Sequence, residues 1–164
     1  ELEKIGALTG SDMPFCVLGG TALAEGRGEI LTDLPPLPDC RFVLCKPDFD
    51  LPTRPMFARL RLDGDRLRPE VDGMISALDR GDLAGAARCV GNVFETVLEP
   101  EERREIEAVK ETLLRRGALA AAMSGSGPAV FGLFAPEAET AGAMEELRRR
   151  HARVFEAEPV RRLL

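Results

Sequence analysis

The spacing of apolar residues divides the chain into short strands and amphipathic helices. Two apolar stretches, residues 21–24 and 29–31, flank Gly26-Arg27-Gly28, which is typical of a β-hairpin whose glycines adopt positive φ. Residues 1–8 keep helical spacing without an N-cap, which predicts the tail of a helix that begins further upstream. Further apolar runs predict four strands, at residues 42–45, 118–123, 129–134 and 153–160.

Between residue 47 and residue 117 the apolar period becomes helical, and three helices are predicted. Pro69 and Pro100 suit a first helical turn, and Asp82 suits an N-cap. A fourth amphipathic helix follows the last pair of apolar runs. The predicted bounds of the four helices are residues 69–80, 82–98, 100–116 and 136–150.

The resulting order is strand, helices, strand, strand, helix, strand. Strands with helices segregated to one face describe an α+β sandwich, and a ferredoxin-like antiparallel sheet is the obvious arrangement. Residues 34–38 read Leu-Pro-Pro-Leu-Pro, a stiff segment with few backbone donors. We therefore expect a domain boundary there, with residues 1–38 as one unit and residues 39–164 as another.

Composition narrows the classes of protein that fit. The 164 residues are 45% hydrophobic and 30% charged, without an apolar run of about 20 residues, so we expect a soluble chain without a membrane span. No signal peptide pattern opens the sequence, which predicts a cytoplasmic protein. A net charge of −6 argues against a nucleic-acid surface. Four cysteines without a CxxC pair, and the single His151, predict reduced thiols and no metal site.

Three segments carry residue types suited to chemistry. In the first, Asp12 precedes Pro14. Its carboxylate suits an N-cap, and it equally suits accepting the proton of a substrate hydroxyl during phosphoryl transfer. In the second, Thr53 and Phe57 are four residues apart and share a helix face. Phe57 suits either the core or stacking on a base, with Thr53 bonding the base edge.

The third segment joins two predicted strands. Its glycine and serine residues leave backbone amides accessible to an anion, although many hairpins look similar. It is not a Walker loop, because no Gly-Lys-Ser follows. The residues of this loop are Ser124, Gly125, Ser126 and Gly127.

In their order, these segments resemble the superfamily of galactokinase, homoserine kinase, mevalonate kinase and phosphomevalonate kinase, the GHMP kinases. Residues 10–15 followed by residues 19–29 resemble the segment after the ATP loop in its 4-diphosphocytidyl-2-C-methyl-D-erythritol kinases. Residues 123–134 resemble the superfamily's third motif, and Thr53 and Phe57 favour the cytidyl family. Ser11 stands where alanine is frequent, and Arg54 where a small hydrophobic residue is frequent.

The resemblance implies a ferredoxin-like carboxyl-terminal domain with a remnant of a ribosomal-protein-S5-like domain before it. It implies ATP-dependent phosphorylation of the 2-hydroxyl of 4-diphosphocytidyl-2-C-methyl-D-erythritol, in the non-mevalonate isoprenoid pathway. Asp12 would be catalytic together with a lysine upstream, Thr53 and Phe57 would line the cytidine site, and the loop would lie beside the phosphates. ATP and Mg²⁺ would be required, and the protein would be a monomer or weak homodimer.

Nothing in the sequence resembles the superfamily's nucleotide-binding motif. Catalysis of phosphoryl transfer is mostly positioning and charge stabilisation around the triphosphate, so these residues alone are expected to be inactive, as the carboxyl-terminal portion of a longer kinase. Two other interpretations stay open. One is another GHMP kinase, of the mevalonate or homoserine type. The other is a non-catalytic ferredoxin-like module that binds a small ligand or partner, in which Asp12 is only a cap.

Overall fold

The structure is a computed structural model that describes residues 13–60 and 69–160. The predicted helix tail at residues 1–8 and Asp12 lie outside these residues. A 3₁₀ helix spans Val93–Val97. In chain order the other elements are α1 Met13–Leu18, β1 Ala22–Glu25, β2 Ile30–Asp33, β3 Arg41–Lys46, α2 Thr53–Arg59, α3 Val71–Asp79, α4 Leu83–Arg88, α5 Pro100–Arg115, β4 Ala120–Met123, β5 Val130–Phe134, α6 Ala141–Arg148 and β6 Arg153–Ala157.

The strands form two antiparallel sheets. β1 and β2 make the predicted hairpin, paired from Ala22 opposite Asp33 to Glu25 opposite Ile30. The larger sheet has the order β4-β5-β3-β6. Strand β3 therefore lies in its interior, although it is the first of these four strands in the chain. Helices α5 and α6 pack on this sheet, and the predicted α+β class is confirmed.

The main core lies between the larger sheet and helices α5 and α6. Strand residues alternate between the two faces of a sheet, so Val43 and Cys45 of β3 point to this core. Helix α5 contributes an apolar stripe at helical spacing, formed by Ile106, Val109 and Leu113, each at most 1% exposed. Their spacing of three and four residues places them on one face of the helix.

Helix α5 approaches the sheet closely at Gly132 of β5. A Cβ added there would lie 3.0 Å from Cδ2 of Leu113, tighter than an ordinary carbon contact. Glycine at this position therefore lets α5 rest directly on the strand. A smaller cluster occupies the opposite face of the sheet, where Ala87 of α4 packs with Ala120 and Leu133.

Two predicted helices have the wrong bounds. The helix expected to run from Asp82 toward Leu98 ends at Arg88, although Asp82 does cap it by accepting a hydrogen bond from the Gly85 amide at 2.8 Å. The chain then turns, and Asn92 caps the 3₁₀ helix that follows. The helix expected over residues 136–150 is shorter, Ala141–Arg148, because the chain first makes a turn closed by the Ala138 amide and the Ala135 carbonyl.

The four cysteines are free, as expected. Burial raises the pKa of the Cys45 thiol to about 12, with the nearby charges of Asp48 and Glu105 adding to the effect. Such a thiol stays protonated and unreactive. Among the described residues, no helix has both the length and the apolar character needed to cross a bilayer.

The packing of α5 leads to a first prediction. Leu113→Ala should lower the free energy of unfolding by about 2–5 kcal/mol, because it opens a cavity where the side chain is fully buried. Leu114→Ala is the matched control, since its neighbouring side chain is 47% exposed, and it should cost less than about 1 kcal/mol. Urea denaturation measures both. Equal losses would contradict the assigned orientation of α5.

Candidate active site

The loop between β4 and β5 is built on two glycines with positive φ, Gly125 at 55° and Gly127 at 84°. A Cβ on Gly127 would meet Sδ of Met123 at 2.4 Å and Cδ1 of Leu51 at 2.9 Å, so both conformation and space require glycine. The turn is closed by the Gly127 amide, which donates to the Ser124 carbonyl at 3.0 Å.

Two backbone donors of this loop are available to a ligand. The amides of Gly125 and Ser126 have no hydrogen-bond acceptor within residues 13–60 and 69–160. A Cβ on Gly125 would meet nothing within 4 Å, so the approach to these amides is open. Successive amides of this kind form a small concave site that favours an anion.

Helix α2 begins beside the loop. The Thr53 hydroxyl lies 3.0 Å from the Ser126 hydroxyl, and either oxygen can be the donor. These two residues are separated by 73 positions in the sequence, so only the tertiary fold brings them together. The structure thus joins two of the three segments that the sequence marked as candidates.

Phe57 lies one turn further along α2. Its side chain is not in the core: Phe57 is 60% exposed, while Met56 beside it is 1% exposed. The Phe57 ring meets the ring of Phe94 edge-to-face, with centroids 4.9 Å apart and planes at 85°. This contact fixes the ring position and leaves much of its surface open to a planar ligand.

Asn92 joins the loop to the 3₁₀ helix. Its Nδ2 donates to the Met123 carbonyl at 2.7 Å and to the Gly125 carbonyl at 2.8 Å. Its Oδ1 accepts from the Phe94 amide at 2.9 Å. Both amide hydrogens and the oxygen of Asn92 are therefore used to hold backbone.

Glu95 bonds the backbone just before the same loop. One oxygen, Oε1, accepts from the Met123 amide at 2.6 Å, and Oε2 accepts from Nζ of Lys110 at 2.5 Å. The Glu95 and Lys110 side chains are each 15% exposed. Burial lowers the pKa of Lys110, but hydrogen bonds to Glu95 and Glu107 and the charges of both carboxylates outweigh it, so the pKa stays raised and the ammonium stays charged.

An ion pair attaches α2 to the start of α5. Nη1 of Arg59 donates to Oε2 of Glu102 at 2.7 Å. The same oxygen accepts from the Glu99 amide at 2.8 Å, which forms half of a capping box. Helix α2, which carries Thr53 and Phe57, is thus held at its far end as well as at the loop.

Asp12 lies outside the described residues, so the structure does not place it against the other candidates. Arg54 is exposed. In the part of the chain that the structure describes, no group of three or more His, Cys, Asp or Glu side chains could hold a metal ion.

A family sequence model described as "GHMP kinases C terminal" matches residues 74–154. A curated relative from Geobacillus kaustophilus, named 4-diphosphocytidyl-2-C-methyl-D-erythritol kinase, is 48% identical over 134 residues, 82% of this chain and 46% of the relative. A relative of the same name from Lachnoclostridium phytofermentans is 46% identical over 134 residues, with the same coverage. Residues 74–154 therefore match the carboxyl-terminal domain of the GHMP kinases, and the chain is similar to kinases of that superfamily.

A solved structure shows the same similarity. The crystal structure of a 4-(cytidine 5'-diphospho)-2C-methyl-D-erythritol kinase superposes with a TM-score of 0.75 at 30% identity. The superposition covers 96% of this chain and 56% of that protein. The chain therefore spans about half the length of the relatives that it matches.

Sequence reasoning missed the residues that hold the 124–127 loop in place. Asn92 and Glu95 were absorbed into a helix predicted to run toward Leu98. The signal against that helix was Gly91 followed by Asn92, since glycine weakens a helix interior and asparagine favours a cap or turn. No local signal pointed to Lys110 as the partner of Glu95.

The Arg59–Glu102 pair predicts an acid-dependent loss of stability. Burial raises the pKa of Glu102, but hydrogen bonds from Arg59 and the Glu99 amide, with the Arg59 charge, hold it below the ordinary 4.5. A lowered folded-state pKa stabilises the fold above pH 4.5 and loses that effect as the pH falls through the folded value. Glu102→Gln should cost about 1 kcal/mol at pH 7 and reduce the pH dependence below 4.5.

Urea denaturation between pH 7 and pH 3 measures this difference. Glu101→Gln is the control, because Glu101 is the exposed neighbour in the same helical turn. It should change the free energy of unfolding by only about 0.5 kcal/mol. An acid transition of Glu102→Gln as large as that of the unmodified chain would contradict the role given to this pair.

Proposed function

We propose that the whole protein containing this chain transfers the γ-phosphoryl group of ATP to the 2-hydroxyl of 4-diphosphocytidyl-2-C-methyl-D-erythritol. Relatives that are 46% and 48% identical carry the name of that kinase. The observation that carries the proposal is the 3.0 Å contact between Thr53 and Ser126, because it joins the proposed cytidine segment to the proposed phosphate loop.

In this proposal the cytidine ring stacks on Phe57. The open surface of the Phe57 ring suits a planar base, and the edge contact from Phe94 restricts how that ring moves. The exposed Thr53 hydroxyl, one helical turn before it, can bond a polar edge of the base or the first phosphate. Both groups are on one face of α2.

The loop receives phosphate oxygens in this proposal. The Gly125 and Ser126 amides donate to no acceptor among the described residues, and a Cβ at residue 125 would meet no atom within 4 Å. Backbone donors that are fixed before the reaction stabilise charge developing on a transferred phosphoryl group. The donors present therefore fit the triphosphate of ATP or the diphosphate of the acceptor.

Asp12 is the proposed base. The 2-hydroxyl oxygen forms the new bond to the γ-phosphorus, the bond from that phosphorus to the bridging oxygen breaks to release ADP, and the hydroxyl proton moves to Asp12. Within residues 13–60 and 69–160 no three His, Cys, Asp or Glu side chains are grouped as ligands for a metal ion. The ligands of that ion are therefore proposed to lie elsewhere in the whole protein.

We further propose that residues 1–38 belong to the ATP-binding domain and residues 39–164 to the GHMP carboxyl-terminal domain. The proline-rich segment at residues 34–38 supports this division. A cytoplasmic monomer or weak homodimer fits a kinase of small molecules, and the oligomeric state is open to direct measurement by light scattering.

The whole protein should phosphorylate the cytidyl substrate with ATP and leave mevalonate and homoserine unchanged. The 164-residue chain by itself should show no turnover. Within the active protein, Asp12→Asn should lower kcat by about 10²–10⁴-fold with little change in melting temperature, because the proton acceptor is lost. Ser11→Ala serves as the neighbouring control. Unaltered turnover of the Asp12 variant would favour the cap interpretation.

A separate prediction concerns the substrate pocket. Phe57→Ala should weaken binding of the cytidyl substrate by about 1–3 kcal/mol, roughly 5- to 150-fold in KM, since the stacking surface is lost. Phe155→Ala is the control, because Phe155 has a similar exposure of 58% on the edge strand β6. Thr53→Val keeps the shape of the side chain and removes its hydroxyl. Steady-state kinetics with a varied cytidyl substrate distinguishes these effects.

A further inference from the structure

The segment formed by Asn92, Val93, Phe94 and Glu95, named here the clamp segment, contacts both halves of the candidate site. Asn92 and Glu95 bond the backbone around the loop, and Phe94 bonds no part of the loop but contacts the ring of Phe57. The proposed roles of the loop and of Phe57 do not by themselves require one short segment to contact both. Its position makes it a second connection between them, besides the direct contact of Thr53 with Ser126.

The hydrogen bonds of Asn92 engage both of its donor hydrogens and its acceptor oxygen with protein partners. Its two donors hold the carbonyls of Met123 and Gly125, and its acceptor holds the Phe94 amide. An amide side chain has two donor hydrogens and one acceptor oxygen, and here each of these groups has a protein partner. Asn92 therefore acts on the loop backbone, from the start of the loop to its first glycine.

Glu95 fixes the residue just before the loop. Its carboxylate accepts the Met123 amide on one oxygen and the Lys110 ammonium on the other. Because Lys110 is on α5, which packs on the sheet, this pair connects the loop to the rigid core. A charge-assisted bond that is mostly shielded from water is also stronger than an exposed one.

We propose that the clamp segment contains three positioning residues, with Asn92 and Glu95 setting the loop for phosphate contact and Phe94 setting Phe57 for the cytidine ring. The kinetic part of this inference rests on the proposed function, whereas the structural part does not. None of the three is assigned a catalytic role, because each acts through another residue. Disturbing the two ends of the segment should accordingly have different kinetic consequences.

The structural part is tested on the 164-residue chain by hydrogen–deuterium exchange. Asn92→Ala removes both bonds to the loop carbonyls, so amides in residues 123–130 should exchange about tenfold faster than in the unmodified chain. Asp82→Ala is the matched control, since it removes a helix cap of similar strength away from the loop. It should leave the exchange of residues 123–130 unchanged relative to the rest of the chain.

A second variant covers the case in which the alanine variant does not fold. Asn92→Asp has nearly the same shape, but it places a carboxylate oxygen against the two loop carbonyls in place of a donor. It should also speed exchange in residues 123–130. Loop exchange that is unchanged in the folded Asn92 variant, or that matches the change in Asp82→Ala, overturns the structural part.

The kinetic part is tested in the whole protein. Asn92→Asp should lower kcat by about 100-fold with little change in KM for the cytidyl substrate, because a misplaced loop affects the transferring phosphate. Phe94→Leu should raise KM and preserve kcat, since it frees the Phe57 ring. Equal effects of both variants on kcat and KM overturn the division of roles. An unmodified whole protein without turnover of the cytidyl substrate overturns the proposed function, while the exchange result still tests the loop.

Discussion

The packing of helix α5 on the larger sheet is the contact on which the rest of the structure depends. Its apolar stripe is fully buried, and Gly132 lets Leu113 approach the strand closely. Once that stripe is fixed, the helical period also fixes the polar side chains on its flank. Glu102 thereby contacts Arg59 of α2, and Lys110 contacts Glu95 of the 3₁₀ helix. The apolar core thus determines where the charged supports of the site lie.

The candidate site consists of exposed groups held by less exposed ones. Thr53, Phe57 and the 124–127 loop are accessible, but each is held by a residue beneath or beside it. Ligand-binding groups have to remain accessible, so they cannot be fixed by burial and need a supporting layer of hydrogen bonds and ring contacts. In this domain much of that support comes from two places, the start of α5 and the segment from Asn92 to Glu95.

Much of the fold could be predicted because its elements have clear local patterns. The hairpin, the strand at residues 42–45 and the helix that starts at Pro100 depend on neighbouring residues, and the structure agrees with each. The prediction of one helix from Asp82 to Leu98 was wrong for the opposite reason. Its apolar residues allow a continuous helix, but Asn92 forms better hydrogen bonds as a cap and as a clamp on the loop. A tertiary contact there outweighed the local pattern.

The sequence by itself determined the order of strands and helices, the glycine-rich loop and the resemblance to the GHMP kinases. These depend on side-chain type, local spacing and motif order, which a chain carries before it folds. Only the tertiary structure decided that Ser126 meets Thr53, that Phe57 lies outside the core and that Lys110 supports Glu95. Such pairs are far apart in the chain, and the packing of helices on the sheet sets their distances. Local periodicity reports which face of a segment is buried, and it contains no information about which distant side chain will lie opposite.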